Sequence, residues 1–374
     1  MTGLKSGPTV DSADESRLGR ERGTSGSRLH HIDGMRALAI LFMVWVHIAA
    51  AFRPVTTAPL VALAVSSAFG GLAAPLFVTI SGWGLHRSAS RRIATAASPF
   101  ADVGRWLAPR IALLVVCQLI INLLMSHVFH WSTPGVLTLL ALAAVLAPCT
   151  AGLATRTRAA LAMAFALSPL LLGDLTGLGW TWDQRMGGAD LVGTFERLFW
   201  NGAYPALPWL AFSLLGSLIA DMPRPRRLTA ATAMIPIALA ATFLLRPEGG
   251  ELVATIGLAS LTFFPASTPF VLVAATTVLW IHLGLESTEE SAFWKHRSGR
   301  DVMALGNLSL TVYVLHFMPL AMLWHTLGAP RADLLTMSLM VITYTVLWIP
   351  LAGLHTRFLP RLSLERLLER MTSQ

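Results

Sequence analysis

Two residues in the first long apolar run of this chain, Arg36 and His47, have types and a spacing that could do chemistry together. The run extends from His31 to His47 and also carries Asp33. Arginine or aspartate at the centre of a membrane-spanning helix costs roughly 2.5–3.5 kcal/mol by insertion scales, so each such group calls for a reason. Eleven positions separate Arg36 from His47, which at about 100° per residue is only about 20° past three full turns, with a rise of about 16 Å. Asp33, three residues before Arg36, falls close to the same stripe. A guanidinium fork matches phosphate or carboxylate oxygens, and a neutral imidazole can take a proton from an alcohol or amine. One helix face therefore offers an anion site at the membrane rim and a base near mid-depth. Plainer roles stand beside these. Arg36 can anchor the helix end by snorkelling, His47 can be a satisfied bundle residue, and Asp33 can either orient Arg36 or cap the helix start.

The elements that must position these groups are membrane helices. The 374 residues are 54% hydrophobic and only 13% charged, against about 25% charged in soluble domains. Apolar runs of spanning length fall at roughly 35–52, 60–85, 106–126, 134–150, 157–173, 203–221, 228–245, 268–285, 303–327 and 333–354. The fold class expected is all-α: a polytopic membrane protein of about ten transmembrane helices with both termini cytoplasmic. Residues 252–264 are apolar but end at Phe264-Pro265, and read as a re-entrant or interfacial piece. Three segments are expected: a disordered cytoplasmic tail over 1–28, a transmembrane domain over 29–356 and a basic cytoplasmic tail over 357–374.

Charge placement supports that topology. The net charge of +8 comes from short loops rather than from one basic face, so it reads as a topology signal and not as a nucleic-acid footprint. With the N-terminus inside, the cytoplasmic side collects Arg17, Arg20, Arg22, Arg28, Arg87, Arg91, Arg92, Arg105, Arg110, Arg156 and Arg158. It also collects Arg224, Arg226, Arg227, Lys295, Arg297, Arg300, Arg357, Arg361, Arg366 and Arg370. Only Arg53, Arg185, Arg197, Arg246 and Arg331 fall on the other side. The longest outer loop, about 174–202, is rich in tryptophan, as an interfacial belt or as a platform for a sugar ring.

Further candidates flank the stripe. Ser81 and Gly82 end the second apolar run and thin the helix for close approach of a neighbour or ligand. Arg91, Arg92 and Arg110 follow; they serve topology, or a patch for nucleotide phosphates. Late in the chain Ser309, Tyr313 and His316 share one helix face, either as buried-network glue or as supporting site residues. His127-x-x-His130 lacks neighbouring carboxylates, so no metal is expected there. Cys117 and Cys149 read as small core residues.

At these residues the chain resembles the integral-membrane acyltransferases, namely the acyltransferase-3 family and the relatives of heparan-α-glucosaminide N-acetyltransferase. Arg36 to His47 is similar to the Arg-x10-His pattern of the acyltransferase-3 family, and Phe77 to Gly82 to its Phe-x-x-x-Ser-Gly. Gly306 to His316 is similar to its late Gly-x-x-Ser-x-x-x-Tyr-x-x-His segment. Asn201 to Trp209, with Leu214-Leu215-Gly216, looks more like the heparan branch. The animal heparan enzymes place their active histidine just after the first span, where Ala51 to Ala58 has none, so the role falls to His47.

The resemblance implies transfer of an acyl group, usually acetyl, from cytoplasmic acetyl-CoA or another acyl-CoA co-substrate to a hydroxyl or amine of a glycan or similar small acceptor. It implies His47 as the catalytic histidine and Arg36 as its partner, with no permanently bound cofactor. The expected setting is the cell membrane, as a multi-pass protein in contact with the lipid bilayer. A rival reading of the same buried groups is a transporter that relays protons or binds an anion through His47, His316 and Arg36.

Overall fold

A computed structural model describes residues 29–54, 60–95, 99–328 and 331–372. The tail expected over 1–28 lies outside the described residues. Helix α1 (His30–Ala51) leads through the two-residue strand β1 (Arg53–Pro54) to α2 (Leu60–Thr95), α3 (Pro99–Leu124), α4 (Val136–Ala151) and α5 (Thr155–Leu172). A long loop holds the short helices α6 (Trp182–Met186) and α7 (Leu191–Glu196), and α8 (Ala206–Asp221) and α9 (Arg224–Leu244) follow. Two short strands, β2 (Glu251–Ile256) and β3 (Ala259–Phe264), precede α10 (Thr268–Glu286), α11 (Arg297–Asn307), α12 (Ser309–Leu315) and α13 (Phe317–Leu327). Strand β4 (Arg331–Ala332), which pairs with β1, leads to α14 (Leu334–Phe358) and α15 (Leu364–Thr372).

The chain is thus an all-α polytopic membrane protein, with 8 described helical stretches long and apolar enough to cross a bilayer, or up to 9 if a bent pair counts as one span. The remaining expected segments differ in form. Helix α4 has only 16 residues, and α8 is joined to the stretch 191–201 across a 51° bend. The run expected over 303–327 is not one rod either. It breaks after Asn307 and again at His316, and its spanning part is Ser309–Leu327.

Residues 252–264, expected as a re-entrant or interfacial piece, lie in paired strands. Gly257 turns the chain between them at φ 103°, a conformation that L side chains rarely adopt. The final segment, expected as a tail, folds back as α15 and packs against α3 and α12. Cys117 is buried as expected, whereas Cys149 is exposed.

The core gathers around α1, α2 and α8. Helix α1 buries Met35, Ala39, Ile40, Met43 and Val44 almost completely. Two glycines let α2 and α8 touch backbone to backbone. A Cβ at Gly82 would fall under 3.0 Å from the backbone of Ser213, and one at Gly216 would do the same to Thr79 and Trp83. Gly306 of α11 lies likewise against the backbone of Asp33. Small residues at such crossings are how membrane helices gain contact where no hydrophobic drive exists between them. The outward side of α14 shows Leu335, Leu339, Ile342, Val346 and Leu347 as exposed apolar surface suited to lipid.

These contacts separate required glycines from incidental ones. Gly216→Leu is expected to cost about 1–3 kcal/mol or more through overpacking, because the atoms it meets are backbone. Gly84→Ala, with nothing within 4 Å of its Cβ, is expected to leave stability unchanged. Thermal unfolding of the two variants in detergent, side by side, checks the contrast.

Candidate functional site

The two mid-depth histidines meet. His47 Nδ1 lies 2.9 Å from His316 Nε2, and the rings stack with centroids 5.1 Å apart. His316 occupies the break between α12 and α13, and its backbone carbonyl accepts from the Tyr344 hydroxyl of α14 at 2.7 Å. Its Nδ1 lies 3.1 Å from the carbonyl of Val312. A carbonyl only accepts, so that nitrogen carries the proton, and in a neutral ring Nε2 is then the acceptor. His47 must therefore donate through Nδ1, which leaves the lone pair on its Nε2. That atom has no hydrogen-bond partner among the described residues. The geometry sets the tautomer of His47.

Aromatic rings enclose the pair. Phe317 sits 4.7 Å and Tyr313 6.3 Å from His47 by centroid, and Phe77 of α2 lies on Tyr313 at 5.8 Å. Tyr313 and His316 are one turn apart, so the late helix presents both to the same place.

The rim end of α1 holds a second cluster. Arg36 donates to Asp33 Oδ1 at 3.2 Å, across one turn of helix. Asp33 thus orients Arg36. The helix start is capped from elsewhere, because Glu289 accepts from the amides of His30 and His31 at 2.8 Å each. Arg92 and Arg110 both lie over the ring of Trp106, at 5.1 and 5.5 Å. Arg36 and Arg92 are close enough to Arg110 for their charges to act on it, and the Arg110 Nε is buried without a hydrogen-bond partner. Three guanidiniums from three helices converge there. Arg91 instead turns outward and bonds the carbonyl of Arg87. Ser81 is eleven residues from Arg92 along α2, about 16 Å of helix rise, and is not part of this cluster.

Other buried polar groups were not singled out in the sequence. His86 Nε2 lies 2.9 Å from Asp221 Oδ2, and Arg158 pairs with the same carboxylate while donating to the Ser217 carbonyl at 2.9 Å. This cluster borders a cavity of about 150 Å³ lined by His86, Ala147, Phe165 and Leu214 among others. On another side Arg227 contacts His282 and donates to Glu286 at 2.6 Å, and His282 meets the edge of His31 at 5.4 Å. His31 in turn holds Glu289 Oε2 at 2.5 Å. Burial pushes the Glu289 carboxyl up, but the His31 and His30 amides and the His31 ring outweigh it and hold the group below its usual value. Arg158 and Arg227 read as topology charges because their partners are far away in sequence. His282, an ionisable group inside an expected span, was the available signal.

The long loop is organised by one buried arginine. Arg185 is 1% exposed and donates to the carbonyls of Thr176, Gly177, Asn201 and Gly202. Burial lowers its pKa to about 10. His127 stacks on Trp324 at 4.1 Å, and no group of three or more metal-ligating side chains occurs among the described residues.

Fold and site together define a class: a multi-pass membrane protein with an imidazole pair within the helices and a guanidinium cluster at one rim. The model of a known family, heparan-alpha-glucosaminide N-acetyltransferase, catalytic, matches residues 28–264, well over half the chain. The chain belongs to that family, and is a membrane acetyltransferase by it. Of the two branches that its motifs resemble, the match is with the heparan one. No curated protein matches the chain.

Two substitutions of His316 test its hydrogen bond with His47. His316→Gln keeps an oxygen that can accept from His47 Nδ1, whereas His316→Ala does not. Turnover of the glutamine variant is expected to exceed that of the alanine variant by about ten-fold, the worth of roughly one hydrogen bond to a charged group. Equal turnover in both would remove the role assigned to His316.

Proposed function

We propose that this protein takes acetyl-CoA at the cytoplasmic face and transfers its acetyl group to a hydroxyl or amine of a glycan or a similar acceptor. The observation that carries this reading is that His47, paired with His316 from the late helix break, stands on the same helix as Arg36. The arginine-rich loops support a cytosolic position for the Arg36 end of α1. Arg36, Arg92 and Arg110 there receive the donor's phosphates, with Asp33 holding Arg36 in place. The arginines are well suited to this, since guanidinium forks bind phosphate oxygens at two points. About 16 Å of helix rise separates Arg36 from His47, comparable to the reach of a pantetheine arm. Arg91, which bonds the Arg87 carbonyl, and Ser81, about 16 Å of helix rise from Arg92, stand outside this phosphate cluster.

At the far end, His47 Nε2 removes the proton as the acceptor oxygen or nitrogen attacks the thioester carbonyl carbon. The carbon–sulfur bond then breaks, the electron pair leaves on the thiolate, and His47 returns its proton to that sulfur. His316 accepts from His47 Nδ1 throughout, which steadies the imidazolium without taking its proton. The enclosing rings of Phe317, Tyr313 and Phe77 limit water that would otherwise hydrolyse the thioester.

Purified protein in lipid nanodiscs, given labelled acetyl-CoA and amino-sugar or sugar-alcohol acceptors, tests this directly. His47→Ala is expected to lose about 10²–10⁴-fold in turnover; full activity in that variant would overturn the mechanism. Arg36→Ala is expected to raise the KM for acetyl-CoA by roughly 10–100-fold, the worth of a hydrogen bond between charged groups, with little change in kcat.

A further inference from the structure

Helix α12 carries Tyr313, ends beside His316 and has only seven residues, Ser309–Leu315. A helix of two turns is marginal by itself, so other parts of the fold must hold its ends. The chain breaks at Leu308, whose side chain caps nothing. The close approach of Gly306 to Asp33 pins α11 to α1, and leaves α12 beyond the break to be held by other contacts. Leu310 and Thr311 belong to the first turn of α12, where amides lack an intrahelical carbonyl. In a low-dielectric slab such donors need an acceptor from elsewhere.

Glu365 of α15 supplies that acceptor. Its Oε1 accepts from the amides of Leu310 and Thr311 at 2.7 and 3.0 Å, and its Oε2 from the Thr311 hydroxyl at 2.5 Å. The exchange is reciprocal. That hydroxyl accepts in turn from the amide of Leu364, the first residue of α15, at 2.9 Å. Each helix thus caps the other, and a carboxylate stands at the positive end of α12. Leu364, Glu365 and Leu368 are half-buried on one face of α15, and the two leucines pack against the core.

From this cap a run of hydrogen bonds leads to the imidazole pair. The Leu308 carbonyl accepts from the Val312 amide at 2.8 Å. The Val312 carbonyl accepts from both the amide and Nδ1 of His316, at 3.0 and 3.1 Å. His316 Nε2 then accepts from His47 Nδ1 at 2.9 Å. Val312 can hold the proton of His316 in place only while α12 stays wound. We propose that Glu365 is a positioning residue: by capping α12 from α15 it keeps the Val312 carbonyl on His316 Nδ1, and so keeps the lone pair of His47 on Nε2. The effect on turnover rests on the acetyl-transfer reading. The effect on the two rings does not.

The full chain, carrying isotope-labelled histidine, is placed in lipid nanodiscs. Nitrogen resonances, assigned with His47→Gln and His316→Gln, report which ring nitrogen carries the proton, and hydrogen exchange is followed at Leu310 and Thr311. The wild type is expected to show Nδ1 protonated on both rings. Glu365→Ala is expected to speed exchange at the two amides by about ten-fold, the worth of roughly one hydrogen bond to a charged group, and to give each ring a mixture of tautomers. It is also expected to lower kcat by about ten-fold on the same ground. The KM for acetyl-CoA stays unchanged, because Arg36, Arg92 and Arg110 stand on other helices. Glu365→Gln, which keeps an oxygen for both amides, is expected to restore the single tautomer and most of the turnover. Thr311→Val, which removes only the hydroxyl, is expected to fall between the two.

Unchanged ring signals in Glu365→Ala overturn the proposal. So does faster exchange without a change of tautomer, which would make Glu365 a docking contact only. Should the alanine variant fail to fold, Thr311→Val against Glu365→Gln carries the same comparison, and identical ring signals in both and in the wild type overturn it. Shifted tautomers with unchanged kcat would uphold the action of Glu365 on the rings and remove His47 as the base. The ring and exchange readouts need no acetyl transfer, so an inactive enzyme would leave them intact.

Discussion

The structure depends on one constraint: α1 carries ionisable side chains into a low-dielectric slab, where Asp33 and Arg36 pair with each other and the histidines need partners from other parts of the fold. The partners come from distant sequence. Glu289, from the turn after α10, caps the first amides and binds His31. His316, at a helix break late in the chain, takes the hydrogen bond of His47. A single apolar helix could insert without these contacts, but this one could not bring its polar stripe in unsatisfied. The rest of the bundle is arranged so that it need not.

Close helix approach makes this possible. Gly306 allows the backbone of α11 to lie against that of Asp33, and α11 leads directly into α12 with Tyr313 and His316. Gly82 and Gly216 lock α2 to α8, which fixes Phe77 on Tyr313 from the other side. Van der Waals contact between small residues is the main attraction between helices in lipid, so these glycines set distances that larger residues would change. The break at His316 fits the same scheme. It aims the ring at His47, and the Tyr344 hydroxyl satisfies the exposed carbonyl. The buried ion pairs of Arg158 with Asp221 and Arg227 with Glu286 hold the neighbouring helices on similar terms, since removing one partner of such a pair leaves an uncompensated charge.

Much of this was legible in the sequence because hydropathy and helical period are local properties. The Arg36-to-His47 stripe follows from the 3.6-residue repeat alone, and the Asp33 contact with Arg36 from a three-residue spacing. The membrane class follows from composition. What could not be read is long-range or irregular. His86 and Asp221 stand 135 residues apart and His47 and His316 stand 269 apart, and no periodicity links them. The apolar residues of 252–264 read as a re-entrant or interfacial piece, and their strand pairing is not visible in hydropathy, although a glycine turn and β-branched residues favour extended chain there. The C-terminal segment was read as a tail from its arginines, yet its half-buried stripe and Glu365 dock it on α12.

The family match ends at residue 264, which divides the site in an informative way. Arg36, Arg92, Arg110 and His47 fall inside it, while His316, Tyr313 and Tyr344 fall beyond. The groups inside the match are those that can hold an anion and present a base. The groups beyond it set that base's tautomer and close the pocket around it. A bare His47 in the same bundle would have either ring nitrogen free to carry its proton. The hydrogen bond from Nδ1 to His316 removes that ambiguity. The Val312 carbonyl, by fixing the proton on His316, is what makes the bond directional. The position of the proton on His47 is therefore set by a backbone carbonyl one turn back from His316 on a short helix, itself capped by Glu365.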